Sequence, residues 1–533
     1  SRPAVINYNR YGSDNDVYVY YGSNDGIFHA VKGGFATDAT AAVQIAPGNE
    51  AWGFVPPEFF PALNRLRKNS PIISSSFKKP YFADGSIGVY TKDANNNGKL
   101  GDSGDKVNLY LSMRRGGRLI YALDVNNPHD PKFLWKIDNS TTGFGELGQT
   151  WSQPTVINNL AGYPNPVLVF GAGYDPTVED LDPATITAST TTTVTTGTGA
   201  SSVTYTRSMG RGIYVVDALT GALLWRAIRT GTAASDTTIV SGMDYSIPAN
   251  VSMVKSDSGA TVRGYVGDTG GNMWRVDFRY DSTNGWANTI VTKLASVGGS
   301  GAVKRKFLGG PDVVRYPSKG FDAILAGSGD REHPFDTSVT NRFYMFKDFG
   351  SDSGPLTGTT GASGANPTLL ESNLFDVTNN CIQEASACTT GVTPATATAS
   401  LNASAGYFLT LGTGEKVIST SISVGGTTFF NTNQPSASAG GGTCGSNLGI
   451  SRAYEISTLD ATATRDLNIS GVLTVADRAR QLPGGGYTPD PVRAIVNIDG
   501  KLIDAVIRGP DVTSPGTLKL NSRLHRYWYK EID

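Results

Sequence analysis

The sequence predicts an all-β protein whose strands form a β-propeller. Short apolar runs separated by clusters of Gly, Asn, Asp and Pro fill the 533-residue chain, which contains 64 glycines. Long amphipathic helical patterns are nearly absent, and this combination is typical of many short strands. An irregular internal repeat accompanies the strand pattern, which indicates an array of similar units.

The repeat is clearest in three copies, at residues 210–226, 117–137 and 271–291. Weaker copies occur at residues 25–34, 341–348 and 451–461. Each copy begins with a polar turn, continues with a strand of the form aromatic–x–apolar–Asp, and often ends in a strand containing Trp. We expect a β-hairpin in which an aspartate caps the turn and Thr220-Gly221 supplies the positive φ. The tryptophan, such as Trp135 or Trp225, is expected to pack on the next sheet.

One such hairpin cannot bury its own apolar face, but about seven arranged radially can, and that arrangement is a β-propeller. A β-sandwich with coincidental hairpins is the alternative fold. The apolar segments 167–175, 262–268 and 321–330 are predicted to be the inner strands of blades. Polar inserts at 187–202, 351–368 and 431–446 are predicted to be loops, because strand patterns resume on both sides. Residues 1–533 are therefore expected to form a single propeller domain.

The composition argues against several classes of partner. A net charge of -1, with 17% charged residues and no long basic run, disfavours nucleic acid as the main ligand. No stretch reaches the roughly 18 apolar residues of a membrane span. The chain begins at Ser1 without a start resembling a signal peptide. The chain is therefore expected to be a mature protein or an excised fragment of a longer one, and we favour the fragment.

Residues 93–105, DANNNGKLGDSGD, predict a calcium-binding loop. Oxygen ligands occupy alternate positions, Gly98 falls where such a loop turns sharply, and Leu100 falls where an apolar residue anchors it. Position 12 is a glycine, so the last ligand must come from a neighbouring carboxylate. The candidate ligands are Asp93, Asn95, Asn97, Lys99 through its carbonyl, Asp105 and Asp102. An Asn/Gly-rich hairpin tip without metal is the alternative.

Cys381 and Cys388 lie seven residues apart in a polar loop that holds neither a histidine nor a further cysteine. That spacing suits a small disulfide loop in an oxidising compartment, and free thiols are the alternative. Cys444 has no predicted role.

No catalytic constellation is evident. The four histidines form no spaced metal pair, and no GxSxG motif occurs. Glu332 and His333 are predicted to lie in a turn with a surface salt bridge rather than to perform acid–base chemistry.

The string YVVDALTGALLW resembles the tryptophan-docking repeats of quinoprotein dehydrogenases, which hold pyrroloquinoline quinone. Such an oxidoreductase is the alternative function, although the sequence lacks the adjacent cysteine pair found in many of those enzymes.

Several segments in order carry a closer resemblance. These are YYGSNDGIFHAV, WGFVPPE, LGQTWSQPTV, VFGAGYD, GRGIYVVDALTGALLW, YVGDTGGNMWRVD, ILAGSGDREHP, NRFYMFKD and GEKVIST. The chain thereby resembles the C-terminal domain of the PilY/PilC family of type IV pilus tip adhesins, from about Val17 to about Ile456.

The resemblance implies a modified seven-bladed propeller with long irregular loop insertions, exposed at the pilus tip after passage through the periplasm. It also implies that the chain is a C-terminal fragment of a longer pilus-tip protein whose N-terminal region is absent. It implies roles in pilus assembly, retraction control, twitching motility and adhesion, and no enzyme activity. The implied partners are minor pilins and a receptor on a host cell or abiotic surface. A purely structural propeller that binds another minor pilus protein is a further alternative.

Two features of some relatives are missing. Their calcium loop precedes the YVGD strand, and the matching positions here are Val254, Ser256, Ser258 and Val262, with Asp257 out of register. Calcium control through that position is therefore not expected. The sequence also contains no Arg-Gly-Asp motif.

Overall fold

The computed structural model describes residues 1–11, 16–34, 45–74, 77–180, 194–196, 203–205, 209–256, 258–299, 304–350, 368–436, 448–498 and 501–514. Its strands form seven sheets arranged as blades in a ring, so the predicted seven-bladed propeller is confirmed and the sandwich alternative is wrong. None of the helices in these ranges has the length and apolar character required to cross a membrane.

Blades 1 and 2 consist of β1 (Ala4–Asn7), β2 (Val17–Gly22), β3 (Phe28–Lys32), β4 (Glu50–Phe54), β5 (Ile87–Lys92), β6 (Lys106–Ser112), β7 (Leu119–Asp124) and β8 (Lys132–Asp138). The next segment contains β9 (Thr155–Ile157), β10 (Val167–Gly171), β11 (Val194–Thr196), β12 (Val203–Tyr205), β13 (Gly212–Asp217), β14 (Leu223–Ile228) and β15 (Thr237–Ile239). Here β11 pairs with β12 in a separate hairpin, and the other five strands form blade 3.

Blades 4 and 5 consist of β16 (Ser252–Lys255), β17 (Thr261–Gly267), β18 (Asn272–Asp277), β19 (Ile290–Ser296), β20 (Asp312–Tyr316), β21 (Phe321–Gly327), β22 (Arg342–Asp348), β23 (Phe375–Asp376) and β24 (Gly406–Thr410). Blades 6 and 7 consist of β25 (Lys416–Val417), β26 (Ile422–Val424), β27 (Thr427–Gln434), β28 (Ile450–Ser457), β29 (Ala479–Gln481), β30 (Val492–Ile498), β31 (Lys501–Arg508) and β32 (Asp511–Thr513). The α-helices are α1 (Phe60–Lys68), α2 (Pro176–Glu179) and α3 (Pro394–Ala403). Short 3-10 helices cover Pro57–Phe59, Arg114–Gly116, Pro317–Lys319, Glu371–Asn373, Ala385–Ala387 and Val475–Arg478.

The apolar cores lie between successive blades, as radial packing requires. One cluster joins blades 1 and 2, another joins blades 2 and 3, and the series continues to blades 6 and 7. Trp135 of blade 2 shows how one blade contacts the next, because its indole Nε1 donates to the carbonyl of Ala218 in blade 3 at 3.2 Å. Trp225 packs edge-on against Phe278 of blade 4. The predicted packing of the repeat tryptophans on the next sheet is therefore confirmed.

The β13–β14 turn has the predicted chemistry. The Asp217 carboxylate accepts bonds from the backbone nitrogens of Leu219 and Thr220, each at 2.9 Å. Gly221 has φ +75°, and a Cβ added there would lie 2.8 Å from the Trp135 ring. Glycine is thus required at this turn both by its backbone conformation and by the close approach of the neighbouring blade.

The prediction of the inner strands is wrong, because the segments expected to be innermost are the second strands of their blades and not the first. A central cavity is lined by residues at or beside the first strand of every blade: Pro3, Ser86, Gln153, Asn250, Gly310, Ile418 and Val492. The segments expected to be innermost form β10, β17 and β21, which are second strands. Second strands are covered on both faces and have the longest apolar runs, whereas first strands are short and partly face the channel.

The polar insert predicted at 431–446 is also wrong in part. Its first four residues belong to β27, where Asn431 and Thr432 are fully buried. Of the insert at 351–368, only residue 368 is among the described residues. Of the insert at 187–202, only the residues of β11 are.

The antiparallel order gives the ring two faces. We call the face where the first strand of each blade begins the upper face. Connections from second to third strands also lie there. The opposite face, with connections from first to second and from third to fourth strands, is the lower face.

Candidate functional site

The predicted calcium loop lies on the lower face, between β5 and β6 of blade 2. Asp93 follows β5 directly, and its two carboxylate oxygens accept bonds from the backbone nitrogens of Gly98 at 2.8 Å and Asn97 at 3.3 Å. The loop turns through Gly98 at φ +75°. Leu100 packs against the core of blades 1 and 2, and its backbone nitrogen donates to the carbonyl of Tyr8 at 2.8 Å. The loop is therefore folded around Asp93 and anchored on blade 1.

The structure brings three of the candidate ligands into direct contact. The side-chain nitrogens of Asn97 and Asn95 donate to one carboxylate oxygen of Asp102, at 2.8 and 3.2 Å. These two hydrogen bonds hold the pKa of Asp102 below its usual value. The lowered pKa favours the ionised form of Asp102, which lies beside two side-chain amides.

The other two candidates occupy different places. Asp105 is only 2% exposed, and its carboxylate accepts from the backbone nitrogens of Ala94 and Asp102 at 2.8 and 2.9 Å. It closes the loop, as a last ligand would. The backbone nitrogen of Lys99 donates to the Asn97 side-chain oxygen at 2.8 Å, and the role of its carbonyl as a ligand stays a prediction. Within the described ranges, no three His, Cys, Asp or Glu side chains converge, so an ion here would also use amide and carbonyl oxygens.

A second loop with the same bonding was missed in the sequence. It spans residues 466–477, DLNISGVLTVAD, which connect the third and fourth strands of blade 6 on the lower face. The Asp466 carboxylate accepts from the backbone nitrogens of Gly471 at 2.7 Å and Ser470 at 3.1 Å. Asp477, fully buried, accepts from the backbone nitrogens of Leu467 at 3.0 Å and Thr474 at 2.9 Å.

The two loops share the same turn over their first six residues and differ by one residue in the position of the closing aspartate. The fourth residue has positive φ in both, +56° at Asn96 and +59° at Ile469, and the sixth is a glycine with positive φ. Ile469 adopts this conformation although β-branched residues rarely do. In the second loop an aspartate stands at position 12 itself. The sequence signal was therefore present, as Asp, Asn, Ser and Gly at positions 1, 3, 5 and 6 with a closing Asp at position 12.

The segment directly before the YVGD strand, at residues 254–262, forms a tight turn. The backbone nitrogen of Ser256 donates to the carbonyl of Ala260 at 2.8 Å, and the hydroxyls of Ser256 and Ser258 are 2.8 Å apart. Val254 belongs to β16, Val262 belongs to β17, and Asp257 lies outside the described residues. The described part of this turn offers hydroxyl groups and no carboxylate.

On the upper face, Glu332 and His333 belong to an ion-pair cluster that is largely buried, so the prediction of a surface salt bridge is wrong. The Glu332 side chain is 11% exposed and pairs with Arg115. Burial raises the pKa of Glu332 despite that partner. His333 Nδ1 lies 2.9 Å from Asp330, and the hydrogen bond to this carboxylate raises the pKa of the imidazole. Both side chains are therefore engaged by neighbours in the fold.

Cys381 and Cys388 are joined by a disulfide bond, with Cα atoms 4.5 Å apart, in the segment between β23 and α3 of blade 5. The bond closes a short loop on the outer part of that blade. Cys444 lies outside the described residues.

Comparisons with known proteins agree with the fold. No model of a known protein family matches the chain. The type IV pilus biogenesis factor PilY1 of Pseudomonas aeruginosa strain UCBPP-PA14 is 26% identical over 351 residues, covering 61% of this chain and 25% of that protein. A PilY1 homolog of Xylella fastidiosa is 26% identical over 271 residues, covering 50% of this chain and 16% of that protein. The chain thus spans about a quarter or less of the length of these relatives.

Among solved structures, the crystal structure of the P. aeruginosa PilY1 C-terminal domain matches with a TM-score of 0.57 and 19% identity. The match covers 93% of this chain and 92% of that domain. The resemblance stated from the sequence motifs is therefore confirmed for the fold along nearly the whole chain.

Proposed function

We propose that this chain, a PilY1-like C-terminal domain, acts in the biogenesis of type IV pili. The observation that carries the proposal is the similarity to PilY1 in both sequence and fold over most of the chain. The finer roles we propose are control of pilus retraction, twitching motility and adhesion at the pilus tip on the cell surface. The chain would act there as part of a longer protein, bound to minor pilins and to a surface receptor, without catalysis.

A piliation assay in the source bacterium tests this role. We expect deletion of the gene to reduce the number of surface pili counted by electron microscopy, and the full-length gene to restore it. Counting pili again in a strain that cannot retract them separates a role in assembly from a role in retraction control. Adhesion is measured in a separate assay. Normal piliation and twitching in the deletion strain would contradict the proposal. Dye-linked alcohol oxidation by the chain with pyrroloquinoline quinone would support the dehydrogenase alternative instead.

We further propose that the loops beginning at Asp93 and Asp466 bind calcium and stiffen the lower face of blades 2 and 6. The support is the shared arrangement in which carboxylate and amide oxygens gather around a positive-φ glycine turn. Each loop has few carboxylates, so we expect modest affinity.

Calcium titration of the protein after chelator treatment tests the loops. A site that binds only the folded protein stabilises it by about 2.7 kcal/mol when free calcium is one hundred times Kd. We expect calcium to raise the Tm of the wild type. Asp93→Ala and Asp466→Ala should each remove part of this rise, and the double variant should remove all of it. Asp281→Ala is the matched control, because Asp281 also caps an exposed turn but lies in no such loop. Absence of calorimetric heat and of any Tm shift would contradict the proposal.

A further inference from the structure

The central channel opens on the upper face as a cavity of about 470 Å³, with a smaller adjoining cavity of about 120 Å³. Arg114 and Arg331 line both cavities. Arg114 comes from the connection after β6 of blade 2, and Arg331 comes from the connection after β21 of blade 5. The larger volume lies within the range of small-ligand pockets.

Both guanidinium groups lie over aromatic rings, and neither makes a close ion pair with a carboxylate in the described ranges. The Arg114 guanidinium lies 4.3 Å from the centre of the Trp151 ring. Its nearest carboxylate oxygens, on Asp84 and Glu332, are both 3.9 Å away, beyond hydrogen-bonding distance. The Arg331 guanidinium lies 5.5 Å from the centre of the Tyr487 ring.

Neither guanidinium donates a hydrogen bond to a residue that the structure describes, and none of the carboxylates of those residues lies within 4 Å of Arg331. The pair carries about ten N–H donors that border the cavity. Burial and the nearby charge of Arg331 both lower the pKa of Arg114, as expected where like charges face a shared space.

Asp84 also lines the cavity and lies 3.9 Å from both Arg114 and the amino group of Ser1, whereas the other charged groups nearby have closer partners. Arg115, next in sequence to Arg114, pairs with Glu332. Asp490 accepts from the backbone nitrogen of Thr420 at 2.8 Å and lies 3.7 Å from Arg2. Asn250 also lines the cavity, and its side-chain oxygen accepts from the backbone nitrogen of Gln153 at 2.7 Å. Its amide nitrogen therefore remains available as a third donor.

We propose that the central channel binds a carboxylate group between Arg114 and Arg331. A planar carboxylate matches the fork of a guanidinium and would also offset the repulsion between the two arginines. The carboxylate could belong to a small dicarboxylate or to the C-terminus of a peptide that enters the channel. This site is independent of the calcium loops, which lie on the opposite face, and of the role in pili.

Isothermal titration calorimetry of the 533-residue chain at low ionic strength tests the site. The three probes are succinate, tetra-alanine with a free C-terminus, and tetra-alanine with an amidated C-terminus. We expect saturable binding of succinate or the free peptide with one site per chain, weakened by added salt. Binding of succinate alone indicates a small-molecule ligand, and binding of the free peptide alone indicates a peptide terminus. Failure of both to bind, or equal binding of the amidated peptide, would overturn the proposal.

Variants locate the binding. Arg331→Ala and Arg114→Ala are each expected to raise Kd at least tenfold, while Arg67→Ala, an exposed arginine of α1 outside the cavity, leaves it unchanged. If thermal unfolding shows that an alanine variant is unstable, Arg331→Gln is measured instead, because it removes the charge but keeps a polar side chain with an unbranched stem. Wild-type affinity in folded Arg331→Gln would overturn the assignment.

Discussion

Replacing Asp348 with alanine is expected to lower the free energy of unfolding by about 3–5 kcal/mol, the usual result of removing one partner from a buried ion pair. Asp348 is fully buried at the end of β22 in blade 5. Both of its carboxylate oxygens lie 2.8 Å from Arg275 Nη1 of blade 4. It also accepts from the Tyr265 hydroxyl at 2.5 Å and from the Gly350 backbone nitrogen at 2.9 Å.

The large expected effect follows from what the variant leaves behind. Arg275 is also fully buried, and it would keep Asp277 as its remaining carboxylate partner. The Tyr265 hydroxyl would lose its acceptor in the interior, where an unsatisfied polar group is costly. The connection between blades 4 and 5 would therefore be weakened on both sides.

Urea denaturation followed by tryptophan fluorescence measures the change. Asp348→Asn keeps the shape and one acceptor oxygen but removes the charge and the second acceptor, so we expect an intermediate loss. Asp130→Ala is the control, because Asp130 pairs with Lys132 at 2.6 Å where both side chains are more than half exposed. Such a pair contributes about 0–1 kcal/mol. A loss in Asp348→Ala no greater than in Asp130→Ala would show that this buried pair does not stabilise the fold.

Local chemistry made parts of the fold predictable. The β13–β14 hairpin could be predicted because Asp217 and Gly221 act on their own turn, within four residues. The inner strands could not, because strands such as β9 have three residues and their position depends on all seven blades. The burial of Asn431 depends on a distant partner, since its side-chain nitrogen donates to the carbonyl of Pro489 at 2.9 Å. Nothing near Asn431 in the sequence indicates that contact.

The candidate sites also differ in whether they depend on local or on distant residues. The order of candidate ligands in the loop at Asp93 is local, so the sequence predicts it, and the loop at Asp466 has an equally local pattern. By contrast, Arg114 and Arg331 are more than 200 residues apart in the sequence. Only closure of the ring brings them to one cavity, so sequence patterns alone do not predict this pair.

Lys306 is the centre of a buried ion-pair cluster that joins blades 3 and 5 on the upper face. Its amine lies 3.0 Å from Glu179 and 2.7 Å from Asp330, and all three side chains are at most 13% exposed. Burial opposes ionisation of Asp330, but Lys306 and then His333 outweigh it and hold the pKa of this carboxyl well below its usual value. Burial likewise opposes the charge on Lys306, but Glu179 and Asp330 keep the pKa of the amine raised.

These shifts set the pH dependence of the wild type. Because the pKa of Asp330 is lowered in the folded state, its contribution to stability is present above the unfolded pKa of about 3.9 and is lost as the pH falls through the folded value. Because the pKa of His333 is raised, its contribution is present below about 6.5 and is lost as the pH rises through the folded value. The cluster therefore stabilises the fold most between these limits.

Lys306→Met is expected to destabilise the protein by about 3–5 kcal/mol at pH 7.5, because Glu179 and Asp330 would remain buried without the cation between them. Loss of the cation removes the main interaction that lowers the pKa of Asp330, so the pKa of this carboxyl should rise and its protonation should relieve the repulsion. The difference in Tm between wild type and variant should accordingly shrink from pH 7.5 to pH 5, where His333 also becomes charged. Lys306→Arg should retain most of the stability, and Lys132→Met, at an exposed position, should show little loss at either pH. A loss in Lys306→Met that is the same at both pH values would mean that packing of the side chain, and not its charge, stabilises this junction.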